Sequence, residues 1–347
     1  MFRVSVFAKL TRDERAELAQ LALENDPTLC RFVSSKGLMR LCETHQSLPN
    51  DARSTWSLRA LKNHQPGGRV YVHPMAMKHF RRWGLRLIRS EFVLVSGDNV
   101  IDVSPDGLGH RLMQALLAHP KLIRWHAQNL GMQHPKLHAM PLGLDYHTLS
   151  VGRRPDWGAQ ASPLDQEAAL FKVRNEAPDL LERKIEGYSN WQFEIGNGDR
   201  ADVIKKLPGD SAYFQPERLS RTESWARSAE HFFTISPRGR GMDCHRTWEA
   251  ILLGSVPIIP DLPINCLFAD LPVVIVRDWT KVTPAFLEAE RARILEGSFD
   301  FSGVFLEKWR RQLFDAPALP PLRLGFQDFA RLSAAQIDAY LASGQMP

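Results

Sequence analysis

No stretch of about 18 apolar residues occurs in the chain of 347 residues, so the sequence offers no membrane-spanning helix. The opening MFRVSVFAKLTRDERAEL is apolar too briefly, and is interrupted too soon, to read as a signal peptide. Cysteine is sparse: Cys30, Cys42, Cys244 and Cys266 show no CxxC spacing and no His–Cys grouping of the kind zinc needs, which favours a reduced, cytoplasmic setting. Long blocks of one charge sign are missing as well. Lys and Arg number 44 against 39 Asp and Glu, a formal net charge of +5, and the excess is spread along the chain. That mild surplus suits an acidic ligand and leaves room for a peripheral membrane contact, but most of it reads as solvated surface. Trp and Tyr are not interleaved with a basic stripe, so nucleic acid is not an expected partner. Internal repeats and low-complexity tracts are absent too.

What the chain does contain is an alternation of strand and helix signals, which predicts an α/β protein. Its length predicts two domains, each able to bury a core. The segment SVGRRPDWGAQASPLDQ loses periodicity and gains Gly, Pro and polar residues, and it reads as a linker over 151–166 between domains over 1–150 and 167–347. In the first half a helix is expected over Asp13–Leu23, a strand over Cys30–Ser34, a helix start at Gly37–Cys42 and a short strand at Val70–Val72. Phe92–Ser96 (FVLVS) is the clearest buried strand, and it runs into Gly97-Asp98-Asn99. A helix over Gly107–Ala118 and strands at Ile123–Trp125 and Leu137–Met140 follow. In the second half Lys184–Phe193 reads as a strand region and Ala201–Lys206 as a helix. Pro272–Val276 is a further strand, and helices are expected from Thr283-Pro284 through Leu295, over Leu306–Leu313 and over Ser333–Leu341.

The chain is organised around FFTISPRGRGMDCHRTWEAILLGSVPIIP, Phe232 to Pro260. Phe232–Ser236 is a buried strand that stops at Pro237, in a loop holding Gly239 and Gly241. From Cys244 the spacing turns helical, with Trp248, Ile251 and Leu252 on one face and Gly254 where a C-terminal glycine belongs. Val256–Ile259 is the next strand. This strand–loop–helix–strand unit is the crossover of a parallel sheet, and it presents the free N–H groups of a first helical turn at the sheet's carboxyl edge. Arg238, Arg240, His245 and Arg246 sit at that edge, so the expected ligand is an anion, a phosphate or a diphosphate. Glu249, one turn on, can accept from sugar hydroxyls, or else form an ordinary surface pair with Arg246.

Three settings fit this plan. Gly239–Cys244, with Asp261 about 20 residues on, is like the start of the GxGxxG fingerprint of an NAD(P)-dependent oxidoreductase, but the third glycine is missing and the arginines are foreign to it. A nucleotide-sugar site uses the cations and the helix dipole to stabilise a departing diphosphate. A non-catalytic nucleotide-binding protein of the same fold is the third.

SPRGRGMDCHRTWEAILLGSVPII resembles the signature block of exostosin-like (family 47-type) glycosyltransferases, most closely the ribitol xylosyltransferase-like branch. FVLVSGDN, RWHAQN, HPKLHAMPLGLDYH and LPVVIVRDW extend the likeness over about residues 70–150 and 183–300. The resemblance implies a GT-B fold, two Rossmann-like domains facing each other across a cleft, with the sugar nucleotide held by the second. It implies inverting transfer from a UDP-sugar, UDP-xylose by the nearest branch, to a glycan or polysaccharide hydroxyl, with no cofactor and no essential metal. By the same analogy Arg238 and His245 contact the diphosphate, Arg246 supports it, Glu249 holds the ribose or donor sugar, and Ser236, Gly239 and Gly241 complete the donor site. Arg240 stands where a less charged residue is expected.

Inversion needs a base on the acceptor hydroxyl. Asp98, at the edge of the clearest strand, is the first candidate, with His126, Asp145 and His147 behind it; His126, Asn129, Gly143 and Asp145 are the expected acceptor side. Asp98 and Asp102 can meet across a loop but lack the further oxygen ligands a magnesium ion would take, so no metal site is expected.

Overall fold

A computed structural model describes residues 25–45, 58–150, 156–190 and 199–345; the helix expected over Asp13–Leu23 and the end of the strand region at Trp191–Phe193 lie outside them. Two parallel sheets carry the architecture. The first runs β1 (Gly68–Tyr71), β2 (Phe92–Ser96), β3 (Leu122–Ala127) and β4 (Leu137–Ala139), in that spatial order. The second holds β5 (Lys184–Ser189), β6 (Ala212–Phe214), β7 (His231–Ile235), β8 (Val256–Pro260) and β9 (Val274–Val276) in the order β6-β5-β7-β8-β9. This 2-1-3-4-5 order reverses direction between β5 and β7, and in open α/β sheets ligands bind outside the carboxyl ends of the strands at such a reversal. A two-stranded antiparallel ribbon, β10 (Ser298–Asp300) with β11 (Arg323–Gly325), completes the strands described.

The strand sequences explain the layering. All five residues of β2 and of β7 are buried, the continuous apolar pattern of strands covered on both faces. One face of the first sheet packs its own core of Val70, Phe80, Leu94 and Trp125. The other face joins a larger core that takes in Phe32, Val95 and Tyr146 with Phe233, Trp248 and Phe301 of the second half. Residues 31–33 enter that core beside the C-terminal region: Val33 N–H donates to Val304 O (2.9 Å) and Leu306 N–H to Arg31 O (2.9 Å). Among the described residues no helix is long and apolar enough to cross a membrane.

Three expectations change, and two helices were not expected. The stretch Gly107–Ala118 is two helices, Pro105–Leu108 and His110–Leu117, because Gly109 between them adopts φ +97°. Cys30–Ser34 makes isolated bridges, Phe32 to Phe305 and Ser34 to Gly143 and Leu144, in place of a strand. The last four residues of the stretch expected as a linker, 163–166, belong to a helix over Pro163–Glu176, which Ser162 caps in a capping box with Asp165. That helix, and a second over Arg221–Ala229 capped by Ser220 and Glu223, escape hydrophobic periodicity because Gln166, Glu167, Arg174 and Arg221 occupy buried positions where an apolar stripe would stand.

Candidate functional site

The site is built where the carboxyl edges of the two sheets meet. On the second sheet, Ser236 continues β7 by donating its N–H to Ile258 O (2.8 Å), and its hydroxyl bonds Thr247 Oγ1 (2.9 Å), which seats the His245–Leu252 helix against the strand end. Cys244 precedes that helix in extended conformation and makes no side-chain cap, so the first turn keeps its N–H groups toward the edge. Arg238 and Arg240 stand in the loop and Arg246 in the first turn. Arg200, which opens the Arg200–Lys206 helix, joins them: its guanidinium reaches Gly239 so closely that a Cβ there would lie 2.9 Å from it. Burial and the neighbouring charges of Arg246 and Arg240 pull the Arg200 guanidinium below its ordinary pKa, the mark of a crowded cationic pocket. Arg246 donates to Pro237 O (3.2 Å), and Arg238 to Asp102 Oδ2 (2.9 Å) across the sheet edges.

Facing this wall, the first sheet contributes carboxylates and imidazoles. Asp98 follows β2 with φ +58°, a left-handed conformation in which Asp is among the few tolerated side chains. Lys36 Nζ contacts its Oδ2 (2.5 Å) and Ser35 Oγ donates to its Oδ1 (3.0 Å). Burial alone would raise the Asp98 carboxyl, but Lys36, His147 and these hydrogen bonds bring it below its ordinary value. His147 Nε2 lies 4.0 Å from Asp98 Oδ1, and its Nδ1 lies 3.1 Å from Asp145 Oδ1. Burial pushes the His147 imidazole below 6.5, against the pull of the two carboxylates, so it is neutral at neutral pH. Asp145 is held well below the carboxylate range: burial opposes this, and His147, His245, Arg221 and a hydrogen bond from the Thr148 side chain overcome it. The His245 ring sits 5.9 Å from that of His147, and its Nδ1 donates to Gly143 O (2.6 Å), which directs Nε2 elsewhere.

The two walls are clamped together. Asn129, itself at φ +51°, accepts from Asp243 N–H (2.9 Å) and donates to Asn99 O (2.7 Å). Gly241 lies against that amide, where a Cβ would stand 3.0 Å from it. Asp243, fully inside, accepts from Leu142 N–H (2.7 Å) and from Trp248 Nε1 (2.9 Å), and burial raises its carboxyl to about 6.

Arg238, Gly239, Gly241, His245 and Arg246 thus meet Asp98, Asn129, Gly143, Asp145 and His147, although the hydroxyl of Ser236 and the amide of Asn129 are spent on holding backbone and helix. Glu249 is one turn in, its Oε1 held by Arg221 (3.0 Å), which also bonds Gln166. His126 stays inside the first sheet, stacked on His138 at 5.2 Å, and burial with the charges of His138 and Arg124 pushes it to about 3. Sequence reading missed Lys36, Arg200, Arg221 and Asp243. Only Asp243 carried a signal, lying within the loop already singled out; Lys36 reaches Asp98 across 62 residues. Asp261, the expected ribose acid of the dinucleotide alternative, pairs with Arg277 (2.7 Å). Among the described residues no group of three or more His, Cys, Asp or Glu is arranged to hold a metal.

Fold and site together define an α/β protein with two parallel sheets and a cationic edge set against buried acid–base groups. Neither a scan against protein-family models nor a search of curated proteins finds a match for this chain.

Proposed function

We propose that the chain is a nucleotide-sugar-dependent glycosyltransferase of the GT-B arrangement. It transfers a sugar from a UDP-sugar, UDP-xylose by preference, to a glycan or polysaccharide hydroxyl, with inversion and without an essential metal. The observation that carries this reading is the convergence of Arg200, Arg238, Arg240 and Arg246 on the start of the His245–Leu252 helix, opposite Asp98, Asp145 and His147. The likeness of SPRGRGMDCHRTWE to the exostosin-like block supports it from sequence.

A leaving diphosphate gathers charge as its bond to the anomeric carbon breaks. The helix terminus supplies about 0.3–1 kcal/mol, and charge-assisted bonds from arginine about 1.5–3 kcal/mol each, so the guanidinium groups provide most of the stabilisation. His147 is the proposed base, taking the proton of the acceptor hydroxyl as that oxygen attacks the anomeric carbon. It is neutral where Asp98 is already committed to Lys36 and Ser35 and has lost basicity, and Asp145 stabilises the imidazolium that forms. Asp98 then positions His147 and Lys36. Glu249, steadied by Arg221, is the proposed hydroxyl acceptor for the ribose or donor sugar.

Calorimetric titration with UDP, with GDP and NAD as comparators and EDTA present, tests the site. UDP binding that survives EDTA and is lost in Arg246→Ala is expected; binding of NAD in its place overturns the reading in favour of a dinucleotide enzyme. Binding without sugar release, across a panel of UDP-sugars and glycan acceptors, would leave a nucleotide-binding protein.

A further inference from the structure

A second charged surface lies on the outer side of the first sheet, in the segment HPMAMKHFRRWGLRLIRS from His73 to Ser90, which contains no Asp or Glu. Met77 and Phe80 of the helix over Met77–Arg82 are buried, as is Ile88 beyond the 3-10 turn at Gly84–Arg86. Around these anchors Met75, Lys78, Arg82, Trp83 and Arg86 are all exposed. Lys78, Arg81, Arg82 and Arg86 form one wall of a shallow groove of about 680 Å³, and His110 and Arg111 of the His110–Leu117 helix form the other.

Five arginines elsewhere on the surface pair with carboxylates: Arg31 with Asp338, Arg227 with Glu230, Arg277 with Asp261, Arg293 with Glu290 and Arg331 with Asp179. Among the described residues no ion pair joins Lys78, Arg81, Arg82, Arg86 or Arg111 to a carboxylate. Unneutralised like charges at this density repel one another unless an anion covers them. Two apolar side chains decide which anion. Met75 is 63% exposed and Trp83 52%, and the guanidinium groups of Arg82 and Arg86 lie 5.1 and 5.6 Å from the indole. An indole ringed by cations next to a bare thioether matches a headgroup layer, where the ring sits at the acyl boundary and the arginines stay at the phosphates. The phosphate backbone of a nucleic acid has no comparable place for Met75.

We propose that this face docks the protein peripherally on an anionic phospholipid surface, independently of the nucleotide site. Sedimentation of the full chain with phosphatidylcholine vesicles, with and without phosphatidylglycerol, tests it. Binding only to the anionic vesicles, weakened by salt, is expected. Each Lys or Arg near such a surface is worth about fivefold in partitioning, so Arg81→Gln, Arg82→Gln and Arg86→Gln together should lower it on the order of a hundredfold. Lys78→Gln with Arg111→Gln, drawn from separate helices, should lower it about 25-fold. Trp83→Ala should remove a part of the binding that salt leaves intact. Circular dichroism and melting temperature of each variant confirm that the fold is retained. Equal binding to neutral vesicles, or unchanged partitioning of both charge variants, overturns the proposal. So does tighter binding of a DNA duplex through the same arginines, which would assign the face to nucleic acid.

Discussion

Asp243 is a carboxyl group buried at a junction, and it makes the stability of the protein depend on pH in a window that follows from its environment. Its folded pKa of about 6 stands above the unfolded 3.8, so the folded state holds its proton more tightly. That contribution is complete below about pH 4 and is lost as pH rises through 6, amounting to about 3 kcal/mol at 1.36 kcal/mol per pKa unit. Melting temperatures measured from pH 4 to 7 should show Asp243→Asn with a flatter dependence than the unaltered chain; equal slopes would remove Asp243 as the group responsible. His147 gives the second residue-scale prediction. Since burial holds its pKa below 6.5, the acid limb of turnover should also lie below 6.5. His147→Gln should cost about 10²–10⁴ in turnover with UDP affinity unchanged, and Asp98→Asn less. Full turnover in His147→Gln would return Asp98 to the role of base. Both residues were legible as candidates, because each follows a strand or motif at the expected edge. The ranking we propose rests on Lys36 and Asp145, whose proximity no local spacing encodes.

At the scale of the element, the His245–Leu252 helix is fixed at both ends by the groups the chain brings to it. Its N-terminus faces the arginine cluster, and its C-terminus runs into Gly254 at φ +73° and the buried Arg183, which donates to Leu253 O (3.0 Å) and Gly254 O (2.6 Å). Arg183→Met leaves those carbonyls without their donor, at about 1–3 kcal/mol each, and chemical denaturation should report the loss. On the other end, Arg200→Ala should weaken UDP binding by about 10- to 150-fold, as expected for one charge-assisted bond to phosphate. An unaltered affinity would place the diphosphate away from the Arg200–Lys206 helix. The helix itself was readable from Trp248, Ile251, Leu252 and Gly254. The helices over Pro163–Glu176 and Arg221–Ala229 were not, since their buried faces carry polar side chains that hydrogen-bond across the molecule and so break the apolar stripe.

For the molecule as a whole, Glu167 shows how distant segments are joined. From the Pro163–Glu176 helix its carboxylate accepts from Arg31 N–H (3.0 Å), Phe32 N–H (3.2 Å), the Arg31 guanidinium (2.9 Å) and Tyr146 OH (2.8 Å), with only 1% of its side chain exposed. Removing it leaves the Arg31 guanidinium with Asp338 alone and takes the acceptor from three further donors, at about 1–3 kcal/mol each, so Glu167→Ala should cost about 3–5 kcal/mol, read from the denaturant midpoint. A change under 1 kcal/mol would mean that water replaces the carboxylate at little cost.

The sequence by itself determined the alternating α/β plan, because apolar, β-branched runs such as FVLVS and FFTIS have no stable place except a strand covered on both faces. It also determined the cationic edge, since the loop and the helix start carrying Arg238, Arg240, His245 and Arg246 are contiguous. The tertiary structure decided what those cations face. Asp102 meets Arg238 across 136 residues, Asn129 meets Asp243 across 114 and Gly143 meets His245 across 102. Contacts of that span are set by how the two sheets pack edge to edge, and a one-residue change of register would turn the same side chains to the other face of a strand. Which carboxylate is paired, which histidine is neutral and which arginine joins the cluster are therefore properties of the packed molecule.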